Sequence, residues 1–257
     1  MEKIKKIIKF INDEFGKQSQ IDKIKIILSI IFVIFLINLC IQGQKDREKY
    51  NTGILLYNTG LSCEKEGKYT EAFENYKMAS ECDIQAAMTN LGCCYLDGKG
   101  CEKDEAKGFY WTKKATKISV HNNDALPLAL CNLGFCYIKG KGVEPNKEEA
   151  FKAFKESAQR NYPPAIYNLV LCYKEGIGVE PNKEEAIKWC RKLAEQDISN
   201  YSNDYSEWKM KNDIREAQEL LGIMYYEDND IERAKYWLKK AGATSTLMKL
   251  GLYFDND

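Results

Sequence analysis

The sequence predicts an all-α chain in which a stack of helix pairs follows one apolar helix. Three observations predict it. An eleven-residue phrase occurs twice, GKGVEPNKEEA at Gly140–Ala150 and GIGVEPNKEEA at Gly176–Ala186, at an offset of 36 residues. Looser copies of its surroundings recur before and after, and a fixed period of about 20–50 residues is the signature of a solenoid. Ahead of the repeats, Ile26–Ile41 is interrupted only by Ser29 and Asn38.

The N-terminus reads as an anchor. Counting Ile24, with Lys25 free to snorkel, the apolar run reaches about 18 residues, near the lower limit for a bilayer span. A cleaved signal peptide has a short charged leader and a small-x-small cut site. Here the leader is long, and Cys40-Ile41-Gln42-Gly43-Gln44 is a poor cut site. Residues 24–42 are therefore expected to form an uncleaved signal anchor, with 1–23 as a basic amphipathic tail and 43–54 as a linker. Within the tail, Ile4, Ile7, Ile8, Ile11 and Phe15 share one helical face, suited to an anionic membrane surface. Lys6, Lys9, Lys17, Lys23 and Lys25 precede the run, whereas Lys45, Arg47 and Lys49 follow it. That bias puts the N-terminus in the cytoplasm and the repeats outside it. The alternative places the repeats in the cytoplasm.

From residue 55 to 254 the chain reads as helix pairs, in units near 55–86, 87–128, 129–164, 165–216 and 217–245, with a partial unit at 246–254. In the third unit Ala129, Leu133, Gly134 and Tyr137 mark helix A. Gly140 and Gly142 end it, because glycine tolerates the left-handed conformation of a helix C-terminus. Asn146 caps helix B, Glu148 and Glu149 favour its positive dipole end, and Ala150, Ala153, Phe154 and Ala158 form its inner face. Pro163 and Pro164 close the unit and start the next. The fourth unit matches with Ala165, Leu169, Val170, Tyr173, Gly176, Gly178, Ala186, Trp189 and Ala194. The second has Ala87, Leu91, Gly92, Tyr95, Gly98, Gly100, Gly108, Trp111 and Ala115. The fifth has Ala217, Leu221, Gly222, Tyr225, Ala234, Trp237 and Ala241, with a shortened loop at Glu227–Asp230. The first is a variant with Gly60, Gly67, Tyr69, Ala72, Tyr76 and Ala79, and Leu250–Tyr253 reads as a trailing half repeat. Ala and Gly at fixed places let two helices approach, and Tyr and Trp fill the space beside them.

This recurring A-x-x-N-L-G-x-x-Y-x-x-G-x-G pattern, followed by A-x-x-W-x-x-K-A, resembles the Sel-one-like repeat, a relative of the tetratricopeptide repeat. Ala129–Ala158 and Ala165–Ala194 carry it most fully. The resemblance implies a right-handed α/α superhelical solenoid and an adaptor that binds another protein or peptide, with no cofactor and no small-molecule substrate. A cysteine-rich branch of the family, some of whose members have been assigned penicillin binding or β-lactamase activity, supplies the enzyme alternative. That branch spaces its cysteines seven apart at repeat junctions, and this sequence does not repeat that spacing. Two S-x-x-K strings occur, Ser62–Lys65 and Ser206–Lys209, without an accompanying S-D-N or K-T-G.

Composition narrows the chemistry. The 38 basic and 38 acidic residues balance, which gives no footprint for nucleic acid. A single histidine, His121, argues against triad or metal-hydrolase chemistry. The ten cysteines contain no C-x-x-C. Cys94, Cys136 and Cys172 share one repeat position, where they read as small core residues, since equivalent positions in neighbouring helices lie too far apart for a disulfide. Pairs such as Cys94 with Cys131 or Cys63 with Cys82 stay open. Setting Cys40 aside leaves nine, so at least one thiol is unpaired in a monomer.

The candidate partner-binding residues are Asn90, Asn132, Asn168, Tyr201, Tyr205 and Trp208. The asparagines, with Asn58, occupy one repeat position, suited either to reading an extended peptide backbone or to satisfying backbone groups between units. The aromatics lie in an insertion at Asp197–Asp213, and a shorter insertion spans Lys117–Pro127. Long insertions in a compact domain are often functional; a helix extension is the other reading. Asn200-Tyr201-Ser202 is a glycosylation sequon in a eukaryotic secretory host.

Overall fold

The computed structural model describes residues 5, 6, 9, 20–118, 125–196 and 205–253, with side chains from Lys25 and Leu28 onward except at 26, 27 and 205–210. The tail face from Ile4 to Phe15, His121, Tyr201 and the sequon lie outside the described residues. All the regular structure described is helical, and the chain divides into two units, Met1–Thr52 and Gly53–Asp257.

Helix α1 (Gln20–Lys65) contributes to both units and includes residues 43–54, the expected linker. In the first unit its side chains from Leu28 to Ile41 are open to their surroundings; Leu28, Phe32 and Phe35 expose 59%, 60% and 55% of their surface. A helix in the core of a water-soluble domain buries such residues. This stretch is long and apolar enough to cross a membrane.

The second unit is a row of helix pairs. The end of α1 pairs with α2 (Tyr69–Glu81), α3 (Gln85–Asp97) with α4 (Glu105–Ala115), α5 (Leu126–Lys139) with α6 (Lys147–Gln159), α7 (Pro163–Glu175) with α8 (Lys183–Ala194), and α9 (Tyr205–Glu227) with α10 (Ile231–Lys240). A short α11 (Thr244–Lys249) follows. The last four pairs close by the same local chemistry, whereas the first starts its helix B at Lys68 with no side-chain cap. The cap residues Asp104, Asn146, Asn182 and Asp230 each accept a hydrogen bond from the backbone N–H three residues on. Their own N–H groups donate to the carbonyls of Tyr95, Tyr137, Tyr173 and Tyr225 at 2.8–3.0 Å. One residue thus ends helix A and starts helix B, satisfying donors that a helix terminus would leave open. Gly98, Gly140 and Gly176 take the left-handed conformation just after helix A.

The A/B crossing is set by residue size. A Cβ on Gly60 would lie 2.6 Å from the Tyr76 ring, on Gly134 2.5 Å from the Phe154 ring, and on Gly222 2.6 Å from Leu238 Cγ. The fourth pair inverts the sizes, with Val170 at the glycine position and Cys190 at the ring position, both fully buried. Between pairs, Phe73 meets Tyr95, Phe109 meets Tyr137 and Phe151 meets Tyr173, edge to face, with centroids 5.2, 5.6 and 5.4 Å apart. Such contacts add about 0.5–1.5 kcal/mol each beyond the area they bury.

Two regions depart from the plain repeat. In the insertion, residues 205–213 follow the helix-extension reading and lengthen helix A of the fifth pair, so α9 has 23 residues where α3 and α7 have 13. The Leu250–Gly251 pair does not sit inside a helix A. Leu250 caps the end of α11 and Gly251 has φ +70°.

Candidate protein-binding surface

The A helices carry one residue in equivalent places just past each crossing: Leu61, Cys93, Phe135, Leu171 and Ile223. Their neighbours at the crossing, Gly60, Gly92, Gly134, Val170 and Gly222, are buried, but these five are half-buried or exposed, and Phe135 exposes 39% of its surface. The result is an apolar stripe across successive A helices. The sequence reading did not single these residues out; the signal was present, three positions after each asparagine of the column.

The asparagines flank this stripe, with unlike partners. Asn132 Nδ2 donates to Cys93 Sγ on the preceding helix A at 3.2 Å. Asn168 Nδ2 donates to the Pro164 carbonyl of its own helix at 2.6 Å. Asn90 lies beside the hydroxyls of Tyr57 and Tyr76, while Asn58 is exposed. The column therefore does not present a uniform row of free amides. Asn132 does line a cleft of about 190 Å³, with Cys93, Leu96, Asp97, Phe135 and Lys141. Lys141 and Asp97 stand 3.6 Å apart at its side. Tyr205 and Trp208 belong to α9, but their side chains lie outside those described, as does Tyr201.

The chemistry available here is recognition. Burial pushes the Cys93 thiol up to about 12 and the Cys136 thiol up to about 11, so both are neutral and unreactive near pH 7. Burial likewise raises Cys94 and Cys190 to about 12 and Cys172 to about 11. The ten cysteines are free thiols, and neither Cys94–Cys131 nor Cys63–Cys82 is joined. Among the described residues no group of three or more His, Cys, Asp or Glu side chains is placed to hold a metal ion. Ser62 and Lys65 are exposed on α1, outside this cleft.

These features define an α-solenoid of stacked helix pairs. The chain belongs to the Sel1 repeat family, which matches residues 49–83, 85–117, 127–162, 163–198 and 215–243. Among solved structures it is similar to a Sel1 repeat protein from Oxalobacter formigenes, with 27% identity, a TM-score of 0.52, and coverage of 76% of this chain and 88% of that one. It also shares the fold of c5321, a protective antigen of uropathogenic Escherichia coli with an SLR fold. There the identity is 22% and the TM-score 0.50, over 84% of this chain and half of that one. No curated protein matches the chain.

Proposed function

We propose that the protein is a membrane-anchored scaffold that holds a partner protein on the surface of its A helices. The apolar stripe from Leu61 to Ile223 carries the reading, because aligned half-exposed apolar side chains beside polar ones are what a docking surface offers. Family membership supports it, since Sel1 repeats generally mediate protein–protein interaction. Asn90, Asn132 and Asn168 border the bound segment, and Tyr201, Tyr205 and Trp208 add specificity from the insertion. Residues 24–42 form the anchor, and the lysine bias before it puts the N-terminus in the cytoplasm and the repeats outside. The test is co-purification of the full chain from solubilised membranes beside an Asn132→Ala/Phe135→Ala double variant. A partner retained by the natural chain and lost by the folded variant supports the reading. Equal retention by both, or turnover of a chromogenic β-lactam, overturns it.

The abundance of free thiols favours a second topology, with the repeats in the reducing cytoplasm. Labelling intact cells with an impermeant maleimide decides between them. Modification of Cys63 or Cys82 before lysis supports the outside placement, and protection of every repeat cysteine until lysis supports the inside one.

A further inference from the structure

Four junctions join the five helix pairs, and the last is built differently. In the first three, a phenylalanine one residue past the first small position of helix B meets the tyrosine of the following helix A. At the fourth junction the tyrosine is present as Tyr225, but Ile187 stands where Phe73, Phe109 and Phe151 stand. An isoleucine cannot present a ring edge to Tyr225. A cleft of about 520 Å³ opens here, lined by Ile187, Lys188, Arg191, Tyr225, Asp230 and Arg233 among others, within the range of small-ligand sites.

The charges around the cleft are mostly matched, and Glu184 adds an exposed carboxylate to its lining. Arg233 Nε is 2.5 Å from Asp230 Oδ2, and the guanidinium lies over the Tyr225 ring at 4.8 Å. Lys188 is joined to Glu185 at 2.7 Å, and Asp228 to Lys183 at 2.5 Å. Arg191 is different, because its guanidinium donates to the hydroxyl of Tyr225 and among the described residues no carboxylate is paired with it. A carboxylate would be a stronger acceptor there, since it adds the attraction of opposite charges and can accept two parallel N–H bonds from one guanidinium. Arg191 and Ile187 lie one turn apart on the same face of α8. A ligand that engages both carries an apolar group and a carboxylate close together, and an aromatic ring would supply the partner that Tyr95, Tyr137 and Tyr173 have at the other junctions.

We propose that this cleft receives the C-terminal aromatic residue of a partner polypeptide. The ring enters the space beside Ile187 and Tyr225 that phenylalanine takes at the other junctions, and the terminal carboxylate pairs with Arg191. The site is apart from the A-helix surface proposed above and does not depend on it.

The test is fluorescence polarisation with the full chain in detergent and a labelled pentapeptide, Gly-Ser-Gly-Ser-Phe with a free carboxylate. The expected result is binding that weakens about tenfold or more when the last residue is Ala, as for other hydrophobic pockets, and again when the carboxylate is amidated. Ile187→Phe completes the aromatic ladder from within; it should raise the thermal midpoint and abolish probe binding. Arg191→Gln should remove the advantage of the acid over the amide. The Asn132→Ala/Phe135→Ala variant should bind the probe normally, so the two readings fail separately. Equal binding of the Phe and Ala probes, or full binding by Ile187→Phe, overturns the proposal. A probe that binds only after residues 254–257 are deleted would mark the chain's own terminus as the occupant, which also overturns it.

Discussion

Gly142 lies so close to the start of the preceding helix B that a Cβ on it would fall 2.0 Å from the carbonyl oxygen of Glu105. Gly100 stands in the same relation to Tyr69, and Gly178 to Lys147, each at 2.0 Å. The second glycine of the repeated phrase is therefore the point where one pair's loop rests on the backbone of the pair before it. A backbone contact cannot be relieved by turning a side chain. Gly142 also has φ +69°, where an L side chain is strained. Gly142→Ala and Gly178→Ala should each cost about 2–4 kcal/mol. Gly67→Ala carries the strain of φ +77° with open space around the added Cβ and should cost about 1 kcal/mol. Denaturation of the three variants in detergent, followed by circular dichroism, checks the order.

The exchange of sizes at the A/B crossing is testable by copying it. The fourth pair places Val170 and Cys190 where the third has Gly134 and Phe154. Gly134→Val should drive into the Phe154 ring and cost about 1–3 kcal/mol, and Phe154→Cys should leave a cavity costing about 3 kcal/mol. The double variant should be less destabilised than the sum of the singles by more than about 1 kcal/mol, as coupled neighbours are. Strict additivity in a double-mutant cycle would show that the two positions do not share one space.

The helix-B caps should behave as independent local units. Asn146→Ala and Asn182→Ala each remove a side-chain acceptor for a first-turn N–H, at 3.0 and 2.9 Å, and should cost about 1 kcal/mol apiece. Their effects should add in the double variant, because the two caps share no partner. Thermal melts of the single and double variants measure this.

The caps, glycines and crossings were legible in the sequence because each is a local requirement repeated in register. Asn146 and Gly140 could be assigned from their own neighbours, and the copy at Asn182 and Gly176 confirmed the spacing. Features set by comparison between repeats were not legible in the same way. Ile187 is an unremarked apolar residue until three phenylalanines are seen to meet three tyrosines. Leu250–Gly251 reads as helix because the motif is intact, yet α11 ends before it and Gly251 takes the left-handed φ of +70°. The asparagine column was visible, but its meaning lay in what each amide faces: Cys93 for Asn132, and a carbonyl of its own helix for Asn168.

Glu64 should give the repeat unit an acid-sensitive contact. It accepts hydrogen bonds from the Tyr76 hydroxyl at 2.6 Å and from Lys99 Nζ at 2.5 Å. Burial pushes its carboxyl up, but the bonds from Lys99 and Tyr76, with the charge of Lys99, outweigh burial and hold it below the usual value of 4.5. A depressed folded value means that this stabilisation is complete above about pH 4.5 and is lost as pH falls through the folded value. Glu64→Gln should cost under about 1 kcal/mol at pH 7, because the pair is part-exposed and screened by solvent. The same variant should show a shallower loss of stability than the natural chain between about pH 5 and 3. Parallel acid titrations that keep the same slope would remove Glu64 from this role.

Thiol reactivity should report how firmly each junction is closed. Cys172 and Cys190 are both buried, with thiols pushed up to about 11 and about 12, so at pH 8 either reacts only when its surroundings open. Cys190 Sγ donates to the Ala217 carbonyl at 3.1 Å across the α8–α9 junction. This is the junction that lacks the Phe–Tyr contact, a deficit of about 0.5–1.5 kcal/mol. Opening there should be about 2–10 times more frequent than at a complete junction, and Cys190 should be modified faster than Cys172 by that factor. Ile187→Phe tests the cause. If the missing ring sets the rate, the substitution slows Cys190 towards Cys172 and leaves Cys172 unchanged. Rates that stay where they were would remove the missing ring as the cause. Mass spectrometry of alkylated peptides over a time course distinguishes the two outcomes.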